Sequence, residues 1–383
     1  MRLHENEELF KQLIALAAEF VRLDQSQVEK DYWITKVLRD IADSPYAENA
    51  YFKGGTSLQK AYGLIDRFSE DLDIYVDTNR PGTGGDPEKA LNSMLYHYLL
   101  EHNMERHVED DPDAKDITGG DFRKLYLKSN VIFPAVGLKQ YLQIESMISA
   151  IKAKTEVYHP AEKKTVQSFI GQYLDSIGSP LTSQFGLEPF GCWCISPKET
   201  VCDKISRLAR LSQKQDNVAY AEHVRDFYDI HHLVSDKEVK AFLESDEFLE
   251  AMYLTNNQDW LQHKNPHPRQ PYATCRVFSN PRSVMEDQIV NEAYDNLHFL
   301  LFRHSVLPDM EEVIGVLEWL STILAKFDDY RQARESGAIM NEDELEDARK
   351  ETEEFISNFA GAWSGQEYED IEAEIMETRT TKD

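Results

Sequence analysis

Cysteine is sparse, four in 383 residues, which is too few at this length for a disulfide framework. Cys192, Cys194 and Cys202 do cluster, and with His231 they could complete a zinc site. The Cys-x-Cys spacing is foreign to the usual zinc patterns, so small buried thiols are the plainer expectation. No apolar run reaches the ~18 residues needed to span a bilayer. The stretch "LIALAAEF" near the start is too short and has no cleavage pattern. A cytoplasmic protein without membrane contact is therefore expected. Positive charge is also in short supply, with 41 Lys and Arg against 69 Asp and Glu, a net charge of −28. This excludes non-specific nucleic-acid binding by the whole surface, which needs clustered bases. Residues 341 to 383 alone hold fifteen acids against four bases. Such acidic tails serve solubility or a partner contact. No internal repeat is visible.

The chain does have the means to fold. Apolar residues make up 41% and aromatics 11%, too rich for disorder. Single cores stop growing near ~250 residues, so the length predicts two lobes. The first forty residues read as two helices, with a capping box at Ser26-x-x-Glu29 and Val28, Trp33, Val37 and Leu38 at helical spacing behind it. A strand beginning at Tyr51 and Phe52 ends at Gly54-Gly55, and a helix follows with Leu58, Ala61, Tyr62 and Ile65 on one face. The run "DLDIYV" (71–76) returns as a strand, and "RKLYLKS" and "KQYLQIESM" alternate like a pair of strands. A Gly/Pro loop at 80–87, a helix to about 102 and a polar loop from 109 lie between them. Beyond residue 160 the pattern is helical. Ser196-Pro197-Lys198-Glu199 marks a helix start. Further helices are expected at 217–235, 282–302, 308–327, 341–359 and 366–378, with a long loop at 255–282. The predicted architecture is α+β: a mixed-sheet lobe over 1–160 with N-terminal helices, then a helical lobe over 161–383 ending in acidic helices.

The stretch "FKGGTSLQKAYGLIDRFSEDLDIYV" (52–76) carries the chemistry. Gly54 and Gly55 present no Cβ, so a ligand can approach the backbone closely. The helix N-terminus beyond them offers unpaired N–H groups, and the Thr56 and Ser57 hydroxyls add donors, an arrangement suited to a polyphosphate. A tight turn with an N-cap is the alternative. Asp71 and Asp73, two apart on a strand, project from one face and repel each other unless a cation such as Mg²⁺ or Mn²⁺ lies between them. A solvated acidic face is the alternative here. The short helix joining the two features favours a metal between carboxylates and phosphates. Glu145 in "LQIESM" is the best-placed third carboxylate, for metal or as a base. Lys204, Arg207, Arg210 and Lys214 form a basic stripe on the helix from Lys198, opposite Val201, Ile205, Leu208 and Ala209. That stripe could face a triphosphate.

Together with "EKDYWITKVL" (29–38), "ETVCDKISRL" (199–208) and "RDFYDIHHL" (225–233), this stretch resembles the AbiEii-type toxin nucleotidyltransferases, a branch of the DNA polymerase β-like nucleotidyltransferase superfamily. The resemblance covers about residues 25 to 235. It implies a nucleotidyltransferase lobe followed by a helical lobe, with a nucleoside triphosphate between them. By the same resemblance, Gly54, Gly55, Thr56 and Ser57 grip the triphosphate, Arg67 and Ser69 line its phosphates, and Asp71 and Asp73 hold Mg²⁺. Lys204 and Asp226 join the site from the helical lobe. The family's association with toxin–antitoxin and abortive-infection defence implies a tRNA 3′ end as acceptor and a cognate antitoxin as partner. Two other readings stay open: a protein nucleotidylating enzyme, and a nucleotide-sensing module without turnover.

Overall fold

The computed structural model describes residues 2–45, 47–76, 105–106, 118–119, 122–128, 131–134, 138, 142–148, 161–214, 217–263, 270–302, 304–337 and 350. The loop and helix expected over 80–102 and the acidic helices expected beyond 341 lie outside the described residues, apart from Lys350.

Two helices open the chain. In α1 (Glu7–Val21) the Asn6 side chain accepts the Leu9 N–H, and Phe10, Leu13, Ile14, Ala17 and Ala18 are buried at the three- and four-residue spacing of one helix face. α2 (Gln25–Ala42) starts earlier than the sequence suggests, because Asp24 and Gln27 form the reciprocal cap. Glu29, expected at that cap, is buried and accepts the main-chain N–H groups of Ile132 (2.9 Å) and Phe133 (2.8 Å). A charge taken that far from water is used where it meets two donors.

The mixed sheet contains β1 (Ala50–Lys53), β2 (Asp71–Val76), β3 (Glu105–Arg106), β4 (Thr118–Gly119), β5 (Phe122–Lys128), β6 (Leu142–Ile148), β7 (Glu162–Val166) and β8 (Phe190–Cys194). Its order is β3-β5-β6-β2-β1-β8-β7, with β4 paired to β5. β1 and β2 are antiparallel with Lys53 opposite Asp73. β2 and β6 are parallel with Asp73 opposite Glu145. The expected strand pair is β5 and β6, antiparallel. The sheet continues past residue 160, the expected boundary between lobes, because β8 lies parallel to β1 and pairs with β7. Val166, Cys192 and Cys194 complete the core that α1 and α2 cover, and α4 (Phe169–Ser176), before α5 (Leu181–Gln184), adds Phe169, Ile170 and Leu174 to it.

A second core fills the helical lobe, built on α6 (Pro197–Leu211), α7 (Val218–Glu222), α8 (Val224–Ser235), α9 (Lys237–Leu243), α10 (Asp246–His263), α11 (Arg276–Ser279), α12 (Pro281–Met285), α13 (Gln288–Asp295) and α14 (Met310–Glu335). Ser196 caps α6 as expected, accepting the Lys198 N–H. The helix expected over 217–235 is divided at His223, and that over 282–302 is divided into α12, α13 and a 3₁₀ turn, Asn296–Leu300. The loop expected from 255 is helical to His263. Phe248, Ala251 and Met252 anchor α10 in the core, and Asn256 donates its amide to the Tyr272 hydroxyl (2.9 Å) rather than competing with the helix backbone.

Main-chain hydrogen bonds join the lobes beside Phe68. Phe68 N–H donates to Leu300 O (2.7 Å), Phe302 N–H to Asp66 O (3.1 Å), and the Gln27 amide to Phe299 O (3.3 Å). No helix among the described residues is long and apolar enough to cross a membrane.

Candidate active site

Gly54 follows β1 with φ +76°, in the left-handed region open to glycine. A Cβ there would collide with the Asp73 carboxylate, so Asp73 rests against the turn itself. At Gly55 a Cβ would come within 2.7 Å of Arg67 Nη2 and 3.1 Å of Ser69 Oγ. The turn is thus built to let side chains from the loop and strand after it close over its backbone. The helix that follows, α3 (Gly54–Ser57), widens into a π-helical turn over Leu58–Tyr62, a distortion common at functional sites. Leu58 and Ile65 are buried as expected, while Ala61 and Tyr62 are half-buried.

The Thr56 hydroxyl is bonded to the Asp71 carbonyl and lies 2.8 Å from Ser69 Oγ, which ties the turn to the start of β2. Ser57 Oγ is buried, and among the described residues it has no hydrogen-bond partner. That hydroxyl is left able to bond a ligand oxygen.

Asp71 and Asp73 alternate with buried Leu72 and Ile74, so both carboxylates leave the same face of β2. Glu145 enters beside Asp73 from β6 and Lys53 from β1. Burial, with the Glu145 and Asp71 charges, pushes the Asp73 carboxyl up to about 7, against the opposing pull of Lys53 and Arg207. Among the described residues no three His, Cys, Asp or Glu side chains are gathered as a metal cluster. The donor set nevertheless fits a hard divalent cation: two carboxylates leave one face beside Glu145, and such an ion relieves the repulsion among them. The thiols form no cation site either. All four are buried and reduced, with Cys192 and Cys194 Sγ 3.7 Å apart.

The basic stripe on α6 is divided between tasks. Lys204 is buried and donates to Asp226 (2.7 Å) and Asp229 (2.7 Å) of α8. Asp229 also receives both ends of the buried Arg67 guanidinium, at 2.7 and 2.6 Å. Burial alone would raise the Asp229 carboxyl, but Arg67 and Lys204 outweigh it and hold it well below the usual carboxylate range. Asp226 pairs with Arg207 (3.0 Å). Arg207, more than a third exposed, lies close enough to Asp73 to pull its carboxyl down. Arg210 turns away to Asp259. Lys53 reaches Asp203 of α6 at 3.3 Å and also senses Asp73.

The structure therefore brings Gly54, Gly55, Thr56, Ser57, Ser69, Asp71, Asp73 and Glu145 together, and links Arg67, Lys204 and Asp226 to them through Asp229. Sequence reasoning assigned nothing to Lys53, Asp229 or Arg225. Asp229 follows Asp226 by three residues and so shares its helix face, a usable signal.

Residues 36–310 match the family described as "Nucleotidyl transferase AbiEii toxin, Type IV TA system". The chain belongs to this family. It is accordingly a nucleotidyltransferase, of the AbiEii toxin type found in type IV toxin–antitoxin systems. Among solved structures, MenT4, a nucleotidyltransferase toxin from Mycobacterium tuberculosis H37Rv, is 16% identical with a TM-score of 0.50, over 84% of this chain and 96% of that one. At this identity the likeness concerns the fold. A putative nucleotidyltransferase from H. pylori is 15% identical over 80% of this chain and 98% of its own, with a TM-score of 0.38. JHP933 from Helicobacter pylori is 16% identical over 82% and 98%, with a TM-score of 0.37. Among curated proteins none matches the sequence.

Proposed function

We propose that this AbiEii-family chain moves a nucleoside monophosphate from a nucleoside triphosphate to an acceptor hydroxyl at the 3′ end of tRNA. It would act as the toxin of an antitoxin-controlled, phage-defence pair. The observation that carries the reading is the Asp73 carboxylate lying against the Gly54 turn. One bound nucleotide could touch both the turn's backbone and the aspartate pair.

Asp71 and Asp73 would hold Mg²⁺ or Mn²⁺, which when bound supplies positive charge at the transferring phosphoryl group. The Gly54–Gly55 turn seats Asp73 and Arg67, and the N–H groups and the Ser57 hydroxyl beyond it would donate to the triphosphate. Glu145, beside Asp73, takes the proton of the acceptor hydroxyl as its oxygen bonds to the α-phosphorus. The bond between the α- and β-phosphates breaks, and pyrophosphate leaves. Lys204 works through its partners: Asp226 holds Arg207 toward the site, and Asp229 holds Arg67 under Gly55.

The test is incubation with each α-³²P-labelled nucleoside triphosphate, divalent metal, and total RNA or total protein. Label should enter RNA of tRNA size, and Asp71→Ala should abolish it while circular dichroism stays unchanged. Label in protein instead would replace the acceptor, and undiminished labelling by Asp71→Ala would refute the mechanism. A neighbouring gene for a small helix-turn-helix protein would supply the expected antitoxin.

A further inference from the structure

Two cations carried to this region by the lobes are already committed. Arg67 and Lys204 are buried and satisfied by Asp229 and Asp226. Arg225, at the start of α8, is different. Its Nη2 donates to Glu70 Oε1 at 3.1 Å, its Nη1 lies 3.9 Å from Asp71 Oδ2, and its side chain is 32% exposed. Glu70 is the residue before Asp71, is buried, and gives its other oxygen to Lys30 Nζ of α2 at 2.7 Å.

Resting on the nucleotidyl-transfer reading, we propose that Arg225 binds a phosphate of the nucleoside triphosphate and that the buried Lys30–Glu70 pair aims it. A guanidinium has five donors in a plane, matched to phosphate oxygens. Here Glu70 fixes one edge, so the rest of the fork faces the side where Asp71 presents its carboxylate. The separation of 3.9 Å from Asp71 is too long for a hydrogen bond and well within reach of the charge. In a chain of net charge −28 a polyanion needs such a local cation. Lys30 has the same logic from behind: it holds one oxygen of the buried Glu70 while the other accepts from Arg225. Glu70 and Lys30 are positioning residues.

The experiment is calorimetric binding of the four nucleoside triphosphates and the matching monophosphates, with Mg²⁺, to wild type, Arg225→Gln, Arg225→Lys, Glu70→Gln and Asp71→Asn. Arg225→Gln should weaken triphosphate binding by about tenfold or more while changing monophosphate binding by less than about twofold, and Arg225→Lys should recover part of the loss. Glu70→Gln should give a smaller loss that disappears in the double variant with Arg225→Gln; additive losses would overturn the aiming role. Equal losses for both ligand classes, or none, would overturn Arg225 as a phosphate ligand. If Arg225→Gln binds triphosphate like wild type while Asp71→Asn does not, the Arg225 assignment fails and the transferase reading stands. Wild type that binds no triphosphate would overturn both readings together.

Discussion

Asp73 holds its carboxylate between Asp71 on its own strand and Glu145 on the next, and burial adds to their repulsion, so the group protonates near pH 7 when folded. The ordinary value is 3.8. Between those limits the native chain keeps a proton that the unfolded chain has released, so this residue's contribution lowers stability as pH rises from about 4 to about 7 and remains lowered above it. Asp73→Asn removes the ionisation. In chelator-treated protein its melting temperature should therefore exceed wild type at pH 8, with the gain vanishing near pH 4. A pH-independent difference would show that the strain is steric. The aspartate pair was readable because strand alternation puts 71 and 73 on one face. Lys53 was not, because its place opposite Asp73 depends on the register of two strands. The Arg67–Asp229 pair spans 162 residues, and nothing local announces it.

α2 shows what an element contributes beyond packing. Glu29, Lys30 and Asp31 are consecutive and buried, and each holds a different segment: the amides at 132–133, Glu70 beside the site, and Lys60 with the Phe169 amide. Glu29→Ala should speed hydrogen exchange at the Ile132 and Phe133 amides selectively, leaving the α1 amides as slow as before; an unchanged rate would mean that Glu29 does not hold this segment. The start of α6 was legible in its cap, Ser196 with Pro197 behind it, while the first forty residues announced two helices without fixing where α1 begins or ends. The segment from 255 was not, since its Asn-rich composition reads as loop until Tyr272 and the core beneath Phe248 are in place. β8 was missed because a five-residue strand alternating Cys with Gly and Trp is a weak pattern without its neighbour β1, and β7, mostly charged with one buried residue, because it is an edge strand that reads as loop without β8.

At the scale of the whole molecule two hydrophobic cores meet where the Arg67–Asp229–Lys204 cluster and the 300–302 hydrogen bonds join them. In the proposed reaction a nucleotide at the Asp71–Asp73 face would contact the sheet lobe through the turn and the helical lobe through Arg207 and Arg225. It should therefore raise the melting temperature of the entire chain in one transition. At a hundred times its dissociation constant the gain is about 2.7 kcal/mol. Calorimetric scans that show only one lobe stabilised would contradict this. The two-lobe organisation followed from length, but its boundary did not, since the sheet recruits strands from both sides of residue 160. The triplet in α2 also sets a limit on sequence drift. Successive residues on a helix point about 100° apart, so gaining or losing a single residue ahead of Glu29 would misdirect all three charges at once. A loop can change length without touching these contacts, but an insertion between the start of this helix and its two acids and one base would break all three.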